Sequence, residues 1–276
     1  MKDKGRTITK VGITGAGGRI GRNLTEGLTD KYELTLIIRN SQPDTSRNLK
    51  IVKADLSKEE EVKGIFEGLD AVIHLAANAS PLAPWGSILQ DNIVATYNVL
   101  EEVRRAGVKR VIFASTNHVQ DAFAMTREIP FTSDPPFTKS GRLIKSSDPP
   151  APDSYYGVSK LFGEDLGRYY SLLYGLEFIS VRIGWAVPKV VSPIWNSLKR
   201  NGETTEMLIR GAIFFSPRDC VDLFTKTLEV ETDFLIVYGV SNTRNPIFDL
   251  TETKEILGYN PQDNEEEYLQ RGSTSL

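Results

Sequence analysis

Short runs rich in Val and Ile alternate with helical patterns between residues 10 and 184 of this 276-residue chain. The strand-like runs are "TKVGITG", "ELTLIIR", "LKIVKADL", "DAVIHLAA", "VKRVIFAST" and "LEFISVRIG", and the clearest helical patterns cover 19–28, 87–106 and 156–174. Buried strands that alternate with helices are typical of a parallel sheet covered on both faces. The sequence therefore predicts an α/β fold with a doubly wound parallel sheet.

Two stretches interrupt this alternation. Residues 120–153 are rich in Pro, Ser and Asp and are too long for an ordinary connection, and loops of that length are usually functional lids or disordered segments. After Gly184 the strand–helix pattern weakens. We therefore predict a sheet domain over 1–184, which includes the loop, and a small α+β substrate-binding lobe over 185–276.

The composition excludes several classes of protein. The net charge is −3, without the basic excess that nucleic-acid binding requires. Apolar runs such as 71–77 are far too short to span a bilayer, and the first ten residues hold no apolar signal core. Cys220 is the single cysteine, and the two histidines form no His/Cys cluster with metal-ligand spacing. These observations predict a cytoplasmic protein that binds no nucleic acid, no membrane and no metal.

A glycine-rich turn separates the first strand from the first helix. "VGITGAGGRIGRNL" places Gly15, Gly18 and Gly21 there, where glycines allow a tight turn and close approach of backbone N–H groups to a pyrophosphate. Glycine turns are common, so the motif alone leaves a purely structural turn open. In the first unit of an alternating chain it predicts a Rossmann dinucleotide site, in which Arg19 and Ile20 also contact the cofactor.

The residue at the end of the second strand indicates which dinucleotide is used. An acid there favours NAD, whereas an arginine accommodates the 2′-phosphate of NADP. The strand ends "LIIRNSQ", with Arg39 and no acid before Asp44, which predicts use of NADP or NAD with a slight preference for NADP. The alternative is that Arg39 simply ends a strand in solvent. The other predicted cofactor contacts are Asp55, Leu56, Leu75, Ala76, Ala77 and Ile183.

The stretch "SYYGVSK" contains a candidate catalytic pair. Residues four apart share one face of a helix, which pairs Tyr156 with Lys160 and leaves Tyr155 pointing elsewhere. A free tyrosine has a pKa of about 10, and a neighbouring ammonium favours the phenolate. Tyr156 is then a candidate proton acceptor for a substrate hydroxyl, while Lys160 also bonds the nicotinamide ribose. Alone, this spacing is equally compatible with a pair on a helix surface.

These segments resemble a known family. The glycine turn, "HLAA", "NIVATYNVLE", "FAST" and "YGVSK" are similar to the extended short-chain dehydrogenase/reductases over nearly the whole chain. The resemblance implies that Thr116, at the end of the fifth strand, bonds the substrate hydroxyl while Ser115 faces the other way. It also implies that Asn92 supports the cofactor-side network.

A narrower resemblance concerns the substrate. "APWGSILQDNIVATYNVLEEVRRAGVKRVIFASTNHV", "YYGVSKLFGEDLGRYY", "FFSPRDCVDLF" and "ILGYNPQDN" are similar to bacterial uronate dehydrogenases and archaeal glucose-6-phosphate dehydrogenases of this fold. Both groups oxidise the anomeric carbon of an aldose. The implied substrate contacts are Ser80, Thr116, Asn117, His118, Tyr156, Trp185 and Arg210, with Arg210 holding an anionic group. The uronate enzymes have a small polar residue at the position of Trp185, so the tryptophan changes that wall of the substrate pocket.

The predicted function follows from both resemblances. We expect an NAD(P)-dependent dehydrogenase that oxidises C1 of an anionic aldose, with glucose 6-phosphate favoured because the 116–156 segment is long, as in the sugar-phosphate group. Lys139, Arg142 and Lys145 in that segment either meet a phosphate or are simply solvated. The alternatives are a hexuronate dehydrogenase, a nucleotide-sugar epimerase or dehydratase, and a non-catalytic dinucleotide sensor. In the family that the chain resembles, two long helices such as 87–106 and 156–174 often form a dimer interface, so the resemblance implies a homodimer or higher homo-oligomer.

Overall fold

A seven-stranded parallel sheet forms the centre of the molecule, in the order β3-β2-β1-β4-β5-β6-β9. The computed structural model describes residues 7–41, 47–121, 142–188, 202 and 204–271. A separate two-stranded parallel sheet pairs β7 with β8. The strands are β1 Lys10–Thr14, β2 Glu33–Ile38, β3 Lys50–Lys53, β4 Ala71–His74, β5 Arg110–Thr116, β6 Glu177–Ile183, β7 Trp185–Ala186, β8 Phe214–Phe215 and β9 Phe234–Gly239.

Helices connect and cover these strands. They are α1 Arg19–Leu28, α2 Glu59–Val62, α3 Trp85–Ile88, α4 Ala95–Arg105, α5 Tyr155–Tyr174, α6 Thr204–Ala212, α7 Pro217–Glu229, α8 Thr251–Leu257 and α9 Glu265–Arg271. Residues Leu89–Val94 form a π-helical turn, so α3 and α4 lie on one continuous helix from 85 to 105, close to the single helix predicted over 87–106. Short π-helical segments of this kind are frequent at functional sites.

Apolar side chains cover both faces of the sheet. On one face α1 and α7 pack through Leu24 and Phe224 onto β1, and on the other face α4 and α5 pack over Phe113 and Phe178. Gly163 lets α5 approach closely, because a Cβ there would lie 2.3 Å from the Phe113 ring. These two layers confirm the predicted doubly wound α/β fold.

The C-terminal part of the chain adds a strand to the sheet. β9 pairs in parallel with β6, from Phe178 opposite Phe234 to Ile183 opposite Gly239. The sequence did not predict this seventh strand, because the regular alternation is lost after Gly184 and "FLIVYG" stands as an isolated apolar run. The region 185–276 therefore contributes a strand to the central sheet, and both the division at 184 and the substrate-binding lobe stay predictions.

Two features of the fold position the site. The carboxyl ends of parallel strands lie along one edge, where ligands bind in open α/β sheets. The helix that carries the Tyr-Lys pair begins at this edge, with the Ser154 hydroxyl accepting a hydrogen bond from Gly157 N at 3.1 Å. Of the helices in the described ranges, none combines the length and the apolar character that a membrane span requires.

Candidate active site

A cavity of about 1000 Å³ opens at the carboxyl ends of β1, β2, β4, β5 and β6. Its wall includes the glycine turn and residues of α6, and it brings together most of the residues that the sequence singled out. The predicted residues on its wall are Gly15, Gly18, Arg19, Ile20, Gly21, Arg39, Asp55, Leu56, Leu75, Ala76, Ala77, Thr116, Asn117, His118, Tyr156, Lys160, Ile183, Trp185 and Arg210.

The glycine turn leaves no room for side chains. Gly15 has a φ of +67°, and a Cβ there would lie 2.8 Å from Ala76 N. A Cβ on Gly21 would lie 2.6 Å from Ala16 Cα. The N-cap of α1 is Gly18, without a side-chain cap, so the first N–H groups of the helix are left for a ligand. This cradle fits the pyrophosphate of a dinucleotide.

Gly17 is a fourth glycine of the cradle, and our sequence reasoning did not include it. It lines the cavity, and a Cβ there would lie 2.4 Å from the carbonyl oxygen of Ser41. The double glycine in "GAGG" was the available signal. Arg19 at the start of α1 donates from Nη1 to the carbonyl of Ala186 at 2.7 Å, which ties the turn to β7 on the substrate side.

Acidic side chains surround Arg39 at the β2 end of the cavity. Its Nη1 donates to Asp91 Oδ1 at 2.6 Å and lies 3.9 Å from Asp55 Oδ1. Hydrogen bonds from Ser57 to Asp55, side chain and backbone, help hold the pKa of this carboxyl below its ordinary value of 3.8. Arg39 thus lies on the cavity wall in an ion pair. Asn40, Ser41 and Asp91 also line this end, and the sequence did not predict them.

His74 lies behind the wall as a packed strand residue. It is fully buried, with Nδ1 2.8 Å from Thr14 Oγ1 and Nε2 3.3 Å from Thr96 Oγ1. Burial, followed by the charge of Lys160, lowers the pKa of His74 to about 3. The Thr14 hydroxyl also accepts from the backbone of Leu75 and Ala76 at 3.1 and 3.2 Å. A neutral His74 therefore helps to shape the "HLAA" floor and takes no part in proton transfer.

Asn92 supports the cavity from behind its lining. The side chain is buried, and its Nδ2 donates to Ser159 Oγ at 2.9 Å and to the carbonyl of Asn78 at 3.1 Å. Its Oδ1 accepts from Asn78 N at 2.8 Å. Because Ser159 precedes Lys160 on α5, Asn92 fixes the loop after β4 against the Tyr-Lys helix. It is not among the residues of the wall, so its predicted cofactor role is indirect.

Tyr156, Thr116 and Lys160 meet on one wall. All three residues line the cavity, and Lys160 Nζ lies 6.0 Å from the centre of the Tyr156 ring. Burial raises the pKa of Tyr156 to about 12, and the nearby Thr116 hydroxyl opposes that rise. Burial also lowers the pKa of Lys160 to about 7. Tyr155 is exposed and packs edge-on against Trp85.

Ser115 lies on the opposite face of β5, as strand alternation requires. Its Oγ donates to Glu164 Oε1 at 2.6 Å. Arg182 donates to the same carboxylate with two nitrogens, at 2.9 and 2.7 Å, and both side chains are buried. This buried network anchors α5 to β5 and β6. Ser115 and Thr116 both lie along the cavity, but the Ser115 hydroxyl is engaged by Glu164.

The substrate side of the cavity contains a carboxylate that the sequence did not predict. Asp121 lines the wall, accepts from Asn117 Nδ2 at 2.5 Å and lies 3.4 Å from His118 Nδ1. Burial raises the pKa of Asp121 to about 6, and the charge of His118 opposes that rise. His118 Nδ1 also lies 2.8 Å from Asp153 Oδ2. Asp121 falls at the start of the long loop, and no motif distinguished it from the other acids there.

Comparison with known proteins assigns the family. Residues 11–193 match the NAD dependent epimerase/dehydratase family. The chain belongs to the NAD-dependent epimerase/dehydratase family. This assignment confirms the predicted resemblance to the extended short-chain dehydrogenase/reductases, and it confirms the dinucleotide class of cofactor.

Three similar proteins have named activities. An L-arabinose 1-dehydrogenase (NAD(P)(+)) of Haloferax volcanii is 35% identical over 93% of this chain and 98% of its own length. An NAD-dependent glucose-6-phosphate dehydrogenase of the same organism is 33% identical over 94% of this chain and 95% of its own length. The crystal structure of uronate dehydrogenase from Agrobacterium tumefaciens superposes with a TM-score of 0.74 at 27% identity, covering 97% of this chain and 90% of that one.

In this family member, Arg210 and Trp185 lie together on the cavity wall. The guanidinium carbon of Arg210 lies 5.1 Å from the centre of the Trp185 ring. Arg210 is half-buried on α6. A guanidinium stacked on an indole is held in one orientation by cation–π attraction, so the hydrogen-bond donors of Arg210 are pre-positioned at the cavity wall.

Ser80 is the predicted substrate residue that the structure does not bring onto the wall. It is exposed, and its Oγ accepts from Leu82 N at 3.3 Å, while its neighbours Ala79 and Pro81 line the cavity instead. A one-residue shift in the loop after β4 is enough to turn a side chain away. Ser80 therefore lies in a turn off the cavity wall, and its contact with a substrate stays a prediction.

The cationic residues of the long loop lie apart from the cavity wall where the structure describes them. Arg142 pairs with Asp148 at 2.8 Å, and Lys145 is exposed. Lys139 lies outside the described residues, as does most of loop 120–153. His118, Asp121 and Asp153 bring their ligand atoms within 4.8 Å of one another. The expectation of no metal rested on spacing in the sequence, and it stays a prediction.

Proposed function

We propose that the protein is an NAD(P)-dependent oxidoreductase that oxidises C1 of an aldose to the lactone. The observation that carries the proposal is the placement of Tyr156, Thr116 and Lys160 together on the wall of a cavity that the glycine cradle also lines. The activities named for the similar proteins, on arabinose, glucose 6-phosphate and uronate, support the same reaction class.

The residues of the chain have distinct roles in this reaction. Thr116 orients the hydroxyl on C1, and Tyr156 takes the hydroxyl proton at its phenolic oxygen. The bound nicotinamide ring supplies the hydride acceptor and a positive charge beside the site. Lys160 in its ammonium form stabilises the phenolate. Asn92 acts through Ser159 and keeps the helix of Tyr156 and Lys160 in place.

We further propose an anionic aldose as substrate, with glucose 6-phosphate favoured. Arg210 is a donor on the substrate-side wall, and guanidinium groups form charge-assisted bonds with phosphate and carboxylate. The 33% identical glucose-6-phosphate dehydrogenase supports this choice. A hexuronate would place a carboxylate at Arg210 in the same way. The 35% identical arabinose enzyme supports a second candidate, a neutral pentose, for which Arg210 would contribute little.

A substrate screen tests the proposal. Purified protein is supplied with NAD or NADP and with glucose 6-phosphate, glucuronate, galacturonate, L-arabinose or glucose, and the absorbance of reduced nicotinamide is followed. We expect reduction with at least one sugar and none in the Tyr156→Phe variant. Absence of a signal with every sugar would sink the C1-dehydrogenase proposal, whereas epimerisation without net reduction would favour the epimerase alternative.

A matched pair of arginine variants tests the role of Arg210. Arg168 also stacks on a ring, 4.1 Å from the centre of Phe234, but it is not on the cavity wall. We expect Arg210→Met to raise the KM of an anionic sugar by about 10- to 100-fold, the range for a lost charge-assisted hydrogen bond. Arg168→Met leaves that KM unchanged. An unchanged KM in Arg210→Met, with a neutral sugar oxidised well, would select the pentose candidate.

We also propose a cytoplasmic homodimer. The outer faces of the two long helices expose large apolar side chains, and such patches are typical of protein interfaces. Tyr97 is 50% exposed, and Leu172 and Leu173 are 78% and 60% exposed. Light scattering coupled to size exclusion gives the mass in solution. A monomer at micromolar concentration would contradict this proposal without affecting the enzymatic one.

A further inference from the structure

Asp91 lies on the cavity wall beside Arg39, although it comes from a different element. It belongs to the π-helical turn Leu89–Val94, whereas Arg39 follows β2. Asp91 Oδ1 accepts from Arg39 Nη1 at 2.6 Å, and both residues line the cavity. An acid therefore faces the position that normally determines cofactor choice, even though "LIIRNSQ" itself contains none.

Asp91 is held in place independently of Arg39. Its second oxygen accepts from Ser87 Oγ at 3.2 Å, and Ser87 Oγ in turn accepts from Asn78 Nδ2 at 2.8 Å. Asn78 is fixed through its backbone by Asn92. The carboxylate of Asp91 is thus part of a chain of hydrogen bonds that begins behind the Tyr-Lys helix, and it stays at the wall when Arg39 moves.

The ion pair between the two residues is easily exchanged. The side chain of Arg39 is 52% exposed and that of Asp91 is 22% exposed, and exposed pairs contribute little because water screens them. Asp55 is a weaker competitor, because it lies 3.9 Å from Arg39 and its Oδ1 is occupied by Ser57. Asp91 is therefore the group that a 2′-phosphate must displace from Arg39.

We propose that Asp91 is a specificity-determining residue for the cofactor. It competes with the 2′-phosphate of NADP for Arg39 and repels that phosphate by like charge. NAD carries no such phosphate and leaves the pair intact. Asp91 thereby offsets the preference for NADP that Arg39 alone would give, and it keeps both dinucleotides usable. This inference rests on the proposed NAD(P) site.

Binding of the reduced cofactors tests this role without turnover. Kd values for NADPH and NADH are measured by nicotinamide fluorescence for the wild type and for Asp91→Asn, which keeps the acceptor for Ser87 and removes the charge. We expect NADPH to bind about 3- to 10-fold tighter in Asp91→Asn, from the lost competition and the lost repulsion, with NADH unchanged. This increase in NADPH affinity becomes smaller as the salt concentration rises, because salt screens the electrostatic repulsion and competition.

Two further variants complete the test. Asp30→Asn is the matched control, since Asp30 pairs with Arg47 at the same 2.6 Å outside the cavity wall, and it leaves both Kd values unchanged. When Arg39→Gln is also present, we expect Asp91→Asn to change the Kd for NADPH much less than it does in the protein with Arg39. An NADPH to NADH ratio in Asp91→Asn that is unchanged, or shifted toward NADH, overturns the inference. If the wild type binds neither reduced cofactor, the proposed function fails as well.

Discussion

Replacement of Lys160 by Met tests how much the burial of an ionisable amine destabilises the folded protein. Lys160 is 3% exposed, and its Nζ lies 4.7 Å from the centre of the Phe113 ring. Burial lowers the pKa of Lys160 from 10.5 to about 7. Each pKa unit corresponds to about 1.36 kcal/mol, so charging this lysine costs the folded protein up to about 5 kcal/mol. Met has a similar length and no charge, so Lys160→Met removes that cost.

The sign of the pH dependence follows from the lowered pKa. Between pH 7 and 10.5 the unfolded chain binds a proton at Lys160 that the folded protein does not, so wild-type stability rises with pH in this window. The cost is fully present below pH 7 and is gone above 10.5. We therefore expect Lys160→Met to be more stable than wild type by about 2–4 kcal/mol at pH 6–7, with the difference disappearing near pH 10.5.

Urea denaturation of the protein without cofactor, at pH 6, 7, 8.5 and 10, measures this difference. Lys63→Met is the control, because Lys63 is exposed on the surface, and it changes stability little at any pH. Turnover in Lys160→Met falls by about 10²–10⁴, the range for loss of a group that assists proton transfer. A variant that is less stable than wild type at pH 7, or a difference that is the same at pH 6 and pH 10, would refute the reasoning.

Three other changes have definite expected outcomes. Gly21→Ala would place a Cβ 2.6 Å from Ala16 Cα, so we expect a loss of about 1–3 kcal/mol by thermal unfolding together with weaker NADH fluorescence enhancement. Glu164→Gln breaks the buried pair with Arg182, so we expect the free energy of unfolding in urea titrations to fall by about 3–5 kcal/mol. A fall of less than about 1 kcal/mol would contradict this expectation. Burial raises the pKa of Asp121 from 3.8 to about 6, so the folded state holds an extra proton between these values and loses stability as pH rises through them. Asp121→Asn should therefore stabilise the protein by about 1–3 kcal/mol above pH 6 and have no such effect at pH 4. The midpoint of denaturation, measured for both proteins at each pH, checks this.

The sheet could be predicted from the sequence because its signal is local. Each of β1 to β6 lies in a short apolar run, three recognisable helices alternate with them, and right-handed parallel crossovers then define the arrangement. β9 could not be predicted in this way, because pairing with β6 is decided by packing across the fold. The need for glycine at Gly163 could not be predicted either, because it arises from the Phe113 ring on another element.

The residues of the candidate site show the same contrast between local signals and contacts that only the fold creates. Tyr156 and Lys160 are four residues apart on one helix, and the glycine turn is continuous in the sequence, so both could be predicted. Asp91 and Asp121 could not, because their roles come from contacts with Arg39 and Asn117 that the fold brings together. Ser80 lies off the cavity wall for a related reason, since the direction of a loop side chain depends on turns that spacing alone does not define.

The pKa values of Tyr156 and Lys160 imply that the free protein is not ready for catalysis. Burial raises one pKa to about 12 and lowers the other to about 7, which stabilises the neutral phenol and the neutral amine at the expense of the phenolate–ammonium pair. A cationic ring beside Tyr156 and ribose oxygens beside Lys160 would reverse both effects. The same desolvation that makes the site costly to fold therefore makes proton acceptance dependent on a bound dinucleotide. Of these two residues, it is therefore Lys160 whose protonation changes in the neutral range of pH, because the pKa of Tyr156 lies far above that range.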